Sequence, residues 1–80
     1  MIWKEKIANI PLGASKKKVG TTNYLVTKTE FNQGKSCKVF AQELGGNDFI
    51  SFNFYRTVNG DHLKPCEMSV QKVMDFLATY

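Results

Sequence analysis

Lys35-Ser36-Cys37-Lys38-Val39-Phe40-Ala41-Gln42-Glu43-Leu44-Gly45-Gly46-Asn47-Asp48-Phe49-Ile50-Ser51-Phe52-Asn53-Phe54-Tyr55-Arg56-Thr57 is the stretch that decides the fold. Two alternating segments, Lys35 to Leu44 and Asp48 to Thr57, flank Gly45-Gly46-Asn47, and alternation with a glycine-rich break is the pattern of a hairpin. A four-residue loop over Gly45 to Asp48 places Leu44 opposite Phe49. It then pairs Gln42 with Ser51, Phe40 with Asn53 and Lys38 with Tyr55 on one face. The other face pairs Ala41 with Phe52, Val39 with Phe54 and Cys37 with Arg56, and is the apolar, core-forming one.

Outward from this hairpin, Thr22 to Phe31 is rich in Thr, Tyr, Val and Phe and ends at Asn32-Gln33-Gly34, the signature of a strand entering a short loop with Gly34 at positive φ. With a three-residue loop, Tyr24, Val26 and Lys28 join Gln42, Phe40 and Lys38 on the outer face; a four-residue loop reverses the two sets. After the turn signals Asn59-Gly60-Asp61, the segment Leu63 to Met68 is expected to be extended around Lys64-Pro65. From Ser69, a plausible N-cap, Val70, Val73, Met74, Leu77 and Tyr80 recur on one helix face.

Before the first strand, Met1 to Leu12 fits either element. Trp3, Ile7 and Ile10 have helical spacing, Ile2, Ala8 and Ile10 share the period of a strand, and Pro11 ends both; a strand is slightly favoured. Residues 13–20 combine two glycines with Lys16-Lys17-Lys18 and read as a flexible basic loop. The expected class is α+β: a single domain over residues 1–80, an antiparallel meander of three to four strands packed by one C-terminal helix, preceded by a strand or short helix.

Eighty residues allow one small core, because a chain this short buries only about two thirds of the surface its unfolded form exposes. Apolar residues make up 42% and aromatics 12%, enough for that core and against disorder. No apolar run approaches the ~20 residues of a membrane span, and the first residues lack the apolar centre of a signal peptide, so a cytoplasmic setting is expected. Cys37 and Cys66 are too few for a disulfide scaffold or, beside the lone His62, for a structural zinc site, and read as reduced thiols. No cofactor is expected.

Charge is unevenly spread. Residues 1–38 carry eight lysines against Glu5 and Glu30, and residues 39–80 are net acidic, within an overall charge of +4. A basic half favours a polyanionic partner. Catalysis has no such support. His62 sits in a turn without a positioned partner, Cys66 lies beside Glu67, which opposes a thiolate, and Gly45-Gly46 is explained by a hairpin. A non-enzyme is expected.

Single strands of nucleic acid are held by positive charge interleaved with rings on which bases stack. The outer face of the hairpin offers Lys38, Phe40, Asn53 and Tyr55, with Lys28 beside them if the first loop is the shorter, and Lys16, Lys17 and Lys18 in the basic loop add phosphate contacts. The competing arrangement buries Phe40 and Tyr55 beneath Trp3 or Ile7. Phe52, Phe54, Tyr55 and Arg56, followed by Gly60, Leu63-Lys64-Pro65, Met68-Ser69 and then Val73, Phe76 and Leu77, resemble the β-β-β-β-α layout of the positive cofactor 4 family of transcriptional coactivators and its Whirly relatives. That resemblance implies a homodimer that binds single-stranded DNA, and of the residues here it carries over Lys64, Arg56 and Tyr55. The family's basic, glycine-containing stretch after Lys-Pro is replaced by Cys66-Glu67. A helical Met1 to Asn9 would instead make the order similar to a double-stranded RNA-binding domain, although only Lys72 stands at the start of the last helix. The rival class is a protein-interaction module, a small inhibitor or accessory subunit docking by a sheet edge or the aromatic face.

Overall fold

A computed structural model of the chain describes residues 2–80. Helix α1 (Trp3–Asn9) leads into strands β1 (Gly13–Val19), β2 (Thr22–Phe31), β3 (Ser36–Glu43), β4 (Phe49–Thr57) and β5 (Gly60–Pro65), and helix α2 (Val70–Leu77) closes the order. The strands form one antiparallel meander in the order β1-β2-β3-β4-β5. The class is α+β, as expected, with five strands in place of three or four, and of its two alternatives the N-terminal segment takes the short helix.

That helix and the additional strand both come from the first twenty residues. The N-terminal segment is a helix: Ile7 and Ile10 are buried, and the Trp3 ring meets Phe54 edge to face at a centroid distance of 5.6 Å. The stretch expected as a basic loop, residues 13–20, is strand β1, turning at Gly20 with φ 63°. Lysine suits an edge strand, since its charge discourages pairing with a further strand while its aliphatic stem still covers apolar neighbours. Lys16 and Lys18 stand opposite Leu25 and Asn23 on one face. Lys17 lies on the other, where its Nζ donates to the Thr79 carbonyl at 2.6 Å and sits 4.3 Å from the Tyr80 ring centroid.

One register left open by the sequence is settled and another differs from that expected. Strand β2 pairs Phe31 with Ser36, so the loop between β2 and β3 has four residues and the β2 faces are reversed. Asn32, Gln33 and Gly34 all take positive φ (54°, 59° and 85°), a left-handed turn that needs the extra residue. Tyr24, Val26 and Lys28 therefore face the core. In the second hairpin, Gln42 pairs with Phe49, Phe40 with Ser51, Lys38 with Asn53 and Val39 with Phe52. That is a slip of two residues from the expected pairing. Because side chains alternate with a period of two, a slip of two changes every partner and no face. The turn between these strands is extended by the Glu43 N–H bond to the Asp48 carbonyl (2.8 Å) and the Asp48 N–H bond to Glu43 Oε1 (3.1 Å).

Both helices lie on one side of the sheet. Ile7 from α1, Ile10 just after it, and Val73, Phe76 and Leu77 from α2 pack with Val26, Val39, Ala41, Ile50, Phe52 and Phe54 as one cluster. Ser69 caps α2, its Oγ accepting from the Lys72 N–H at 3.1 Å. The helix buries Phe76 and leaves Val70 at 54% exposure, so its inward stripe runs Val73-Phe76-Leu77 and not through Val70. Lys28 enters this core from β2, only 8% exposed, and its Nζ donates to the Ile7 and Ile10 carbonyls at 2.9 and 3.1 Å. It thereby ties the end of α1 to the sheet.

The loop before β4 is held to α2 by a polar bridge. Tyr24 Oη donates to Asp48 Oδ2 at 2.8 Å, and Lys72 Nζ pairs with Asp48 Oδ1 at 2.6 Å. The Lys72 and Tyr24 hydrogen bonds hold the Asp48 carboxyl below its ordinary value. Burial, followed by the Asp48 hydrogen bond, pushes the Tyr24 phenol up to about 12. The two shifts give opposite limbs. Asp48 stabilises the fold above its ordinary value of 3.8, and that contribution is lost as pH falls through its lower folded value. Tyr24 stabilises the fold below 10, and that contribution is lost as pH rises from 10 towards 12. Thermal melts across pH are expected to show both limbs; Asp48→Asn should flatten the acid limb, and Tyr24→Phe the alkaline one.

Candidate nucleic-acid interface

With both helices on one side, the opposite sheet face is left bare. The registers fix its rows: Lys16, Leu25, Gln42 and Phe49; then Ala14, Thr27, Phe40 and Ser51; then Thr29, Lys38, Asn53 and Lys64; then Phe31, Ser36, Tyr55 and His62. Lys18 and Asn23 extend the first edge. Phe40 and Tyr55 are each 38% exposed and Phe31 50%. Neither Trp3 nor Ile7 covers them, because α1 packs on the far side. Phe40 and Phe49 stack at a centroid distance of 6.0 Å with an interplanar angle of 27°, forming a platform at one end of the face, while Tyr55 and Phe31 lie towards the other.

Charge at the strand positions of this face has one sign, although the exposed Glu67, on the connection after β5, lines a pocket beside Phe40 and Phe49. The strand positions carry Lys16, Lys18, Lys38 and Lys64 and no carboxylate. Other acids fall elsewhere: Glu30 and Asp61 have the opposite parity, facing the helices, and Asp48 is engaged by Lys72 and Tyr24. Asn53 lies between Lys38 and Lys64, its Nδ2 within 3.5 Å of Cys66 Sγ. Ser51 is the covered position, its N–H meeting Met68 Sδ at 3.4 Å where the chain leaves β5 for α2.

Of the residues expected to touch nucleic acid, the structure brings Lys16, Lys18, Lys38, Phe40, Asn53, Tyr55 and Lys64 onto this one face. It places three elsewhere. Lys28 is in the core at the end of α1, Lys17 is beside Tyr80, and Arg56 faces the helix side, its guanidinium 5.8 Å from the Phe54 ring centroid. Phe31 and Phe49 belong to the face and were not singled out from the sequence. The parity of Phe49 follows from the second hairpin, whereas that of Phe31 depends on whether the loop between β2 and β3 holds three or four residues.

Both cysteines are unpaired, Cys37 buried on the helix side and Cys66 half-buried. Among the described residues no group of His, Cys, Asp and Glu is arranged to hold a metal ion, and no helix is long and apolar enough to cross a membrane.

The fold and the face together define a class: a five-stranded antiparallel meander with both helices on one side and a basic, aromatic sheet surface on the other. No family model, curated protein or solved structure matches the chain. The observed order differs from a β-β-β-β-α layout by a leading helix and a fifth strand.

Proposed function

We propose that this protein is a non-enzymatic nucleic-acid-binding protein that holds single-stranded DNA or RNA on its open sheet face, in the cytoplasm, where both thiols stay reduced. The observation that carries this reading is the coincidence, on a sheet face free of helices, of exposed rings with four lysines at the strand positions, against which stands the Glu67 carboxylate beside Phe40 and Phe49. Phe40 and Tyr55 offer π-faces on which bases of any sequence stack, and Lys16, Lys18, Lys38 and Lys64 neutralise phosphates on either side of them. A regular duplex keeps its bases stacked inside, so it engages the lysines without the rings.

Fluorescence anisotropy with a labelled single-stranded 20-mer, repeated over a salt series, tests this. Neutralising one phosphate of a single strand contributes about −0.7 to the slope of log affinity against log salt. Engagement of all four lysines thus predicts a slope of about −2.8, and Lys38→Gln should lower its magnitude by about 0.7. Absence of a shift at low salt would overturn the proposal. A salt-insensitive complex with a protein, through the same rings, would assign the face to the rival class of interaction module.

A further inference from the structure

The helix side of the sheet holds a second feature, unrelated to the open face. A cleft of about 350 Å³ lies between the end of α1 and the core face of the sheet, within the range of about 300–1,000 Å³ typical of small-molecule sites. Ile7, Ile10, Pro11, Leu12 and Phe54 supply apolar walls, and Lys28, Arg56 and Glu30 are charged groups along it.

Lys28 gives the cleft its chemistry. Its buried ammonium has three donors; the carbonyls of Ile7 and Ile10 take two, and no carboxylate among the described residues pairs with it. A buried cation with only carbonyl dipoles for partners carries a desolvation cost that an anion would offset. Arg56, at the exposed rim of the cleft, also lacks an acid partner. Its cross-strand neighbour is Asp61, but that carboxylate is bound to Lys4 at 3.0 Å, leaving the guanidinium over Phe54 without an acid partner. Lys4, although it also lines the cleft, is thus neutralised.

Two uncompensated cations against the single carboxylate of Glu30 leave a net charge of +1 along the cleft. A monoanion balances that charge, whereas a dianion exceeds it and meets repulsion from Glu30. The Cys37 thiol also lines the cleft; burial pushes its pKa up, so it adds no negative charge. Guanidinium matches the two oxygens of a carboxylate in a planar fork, and the walls favour an apolar body. We infer that the cleft between α1 and the sheet is a binding site for a small monocarboxylate with a compact apolar body, held by Lys28 and Arg56.

Benzoate is a suitable probe, with benzyl alcohol as its uncharged counterpart and inorganic phosphate as a more highly charged anion without an apolar body. Amide chemical shifts are followed by NMR during titration of the full chain. Benzoate is expected to give saturable shifts at Leu12, Gly34 and Cys37, with benzyl alcohol at least about tenfold weaker, the effect of losing a hydrogen bond to a charged group. Phosphate should leave these amides in place. Arg56→Gln, on the sheet surface, should weaken benzoate about tenfold and leave benzyl alcohol unchanged. Equal binding of benzoate and benzyl alcohol, no saturable shift, or shifts confined to the open face would overturn the assignment. Because the two sites lie on opposite sides of the sheet, the result is independent of whether the open face binds nucleic acid.

Discussion

Phe40→Ala is expected to weaken binding of a single-stranded 20-mer by about 5- to 150-fold, the effect of removing one base-stacking ring worth roughly 1–3 kcal/mol. The ring lies on the bare side of β3, stacked only on Phe49 and 38% exposed, so its loss removes little core. The folded state should lose less than the roughly 3–5 kcal/mol that truncating a fully buried phenylalanine costs. Tyr55 lies one strand over and further along the face, with Lys38 and Asn53 in the row between. Tyr55→Ala should therefore produce a separate loss, and the double variant a loss close to the product, since distant sites add. Anisotropy at fixed salt measures the affinities, and circular dichroism melts establish that each variant is folded. A Phe40→Ala protein that binds normally would show that charge alone accounts for any retention of the oligonucleotide. One that unfolds would show that the ring is structural.

The difference between Phe40 and its surroundings was partly legible in the sequence, for a definite reason. Alternation in Lys35 to Thr57 fixes which residues share a face, and face membership survives a slip of two positions. Hence Val39, Ala41, Phe52 and Phe54 were correctly assigned to the core and Lys38, Phe40, Asn53 and Tyr55 to the other side, although each partner was misplaced by two. Where one residue decided the matter, the sequence left it open. The β2 faces depend on whether the loop at Asn32 holds three or four residues, and three successive positive-φ positions, two of them not glycine, carry no strong local signal. Strand β1 was hidden because lysine suits either side of an edge strand: Lys16 and Lys18 face the open side and Lys17 reaches the end of α2, so no alternation of polarity marks the strand. The position of α1 was beyond local reading altogether. Its amphipathic pattern fits either side of a sheet, and only long-range contacts, Trp3 against Phe54 and Lys28 against the carbonyls of Ile7 and Ile10, select the helix side. The candidate interface depends on that selection, since the same helix on the opposite side would have buried Phe40 and Tyr55.

Phe52→Ala is expected to have the largest effect on stability of any single substitution in this chain. Phe52 is completely buried on the core face of β4, between Val39 on β3 and Pro65 on β5. Truncating a buried phenylalanine removes its transfer free energy and leaves a cavity, together costing about 3–5 kcal/mol. For a chain of 80 residues, total stability is about 4–12 kcal/mol, so the variant should lose a large fraction of it and melt on the order of 20 °C lower. Phe52 follows Ser51, the cross-strand partner of Phe40, yet its side chain points the opposite way, and the two substitutions are predicted to have opposite consequences. At a temperature where Phe52→Ala is still folded, its oligonucleotide affinity should match that of the unsubstituted protein, because the open-face side chains remain in place. Phe40→Ala should lower the melting temperature less than Phe52→Ala does and lose affinity. Melting and binding measured on both proteins separate the two faces of the sheet: if Phe52→Ala lost affinity while still folded, the open face would depend on core packing, and binding could not be assigned to its surface groups alone.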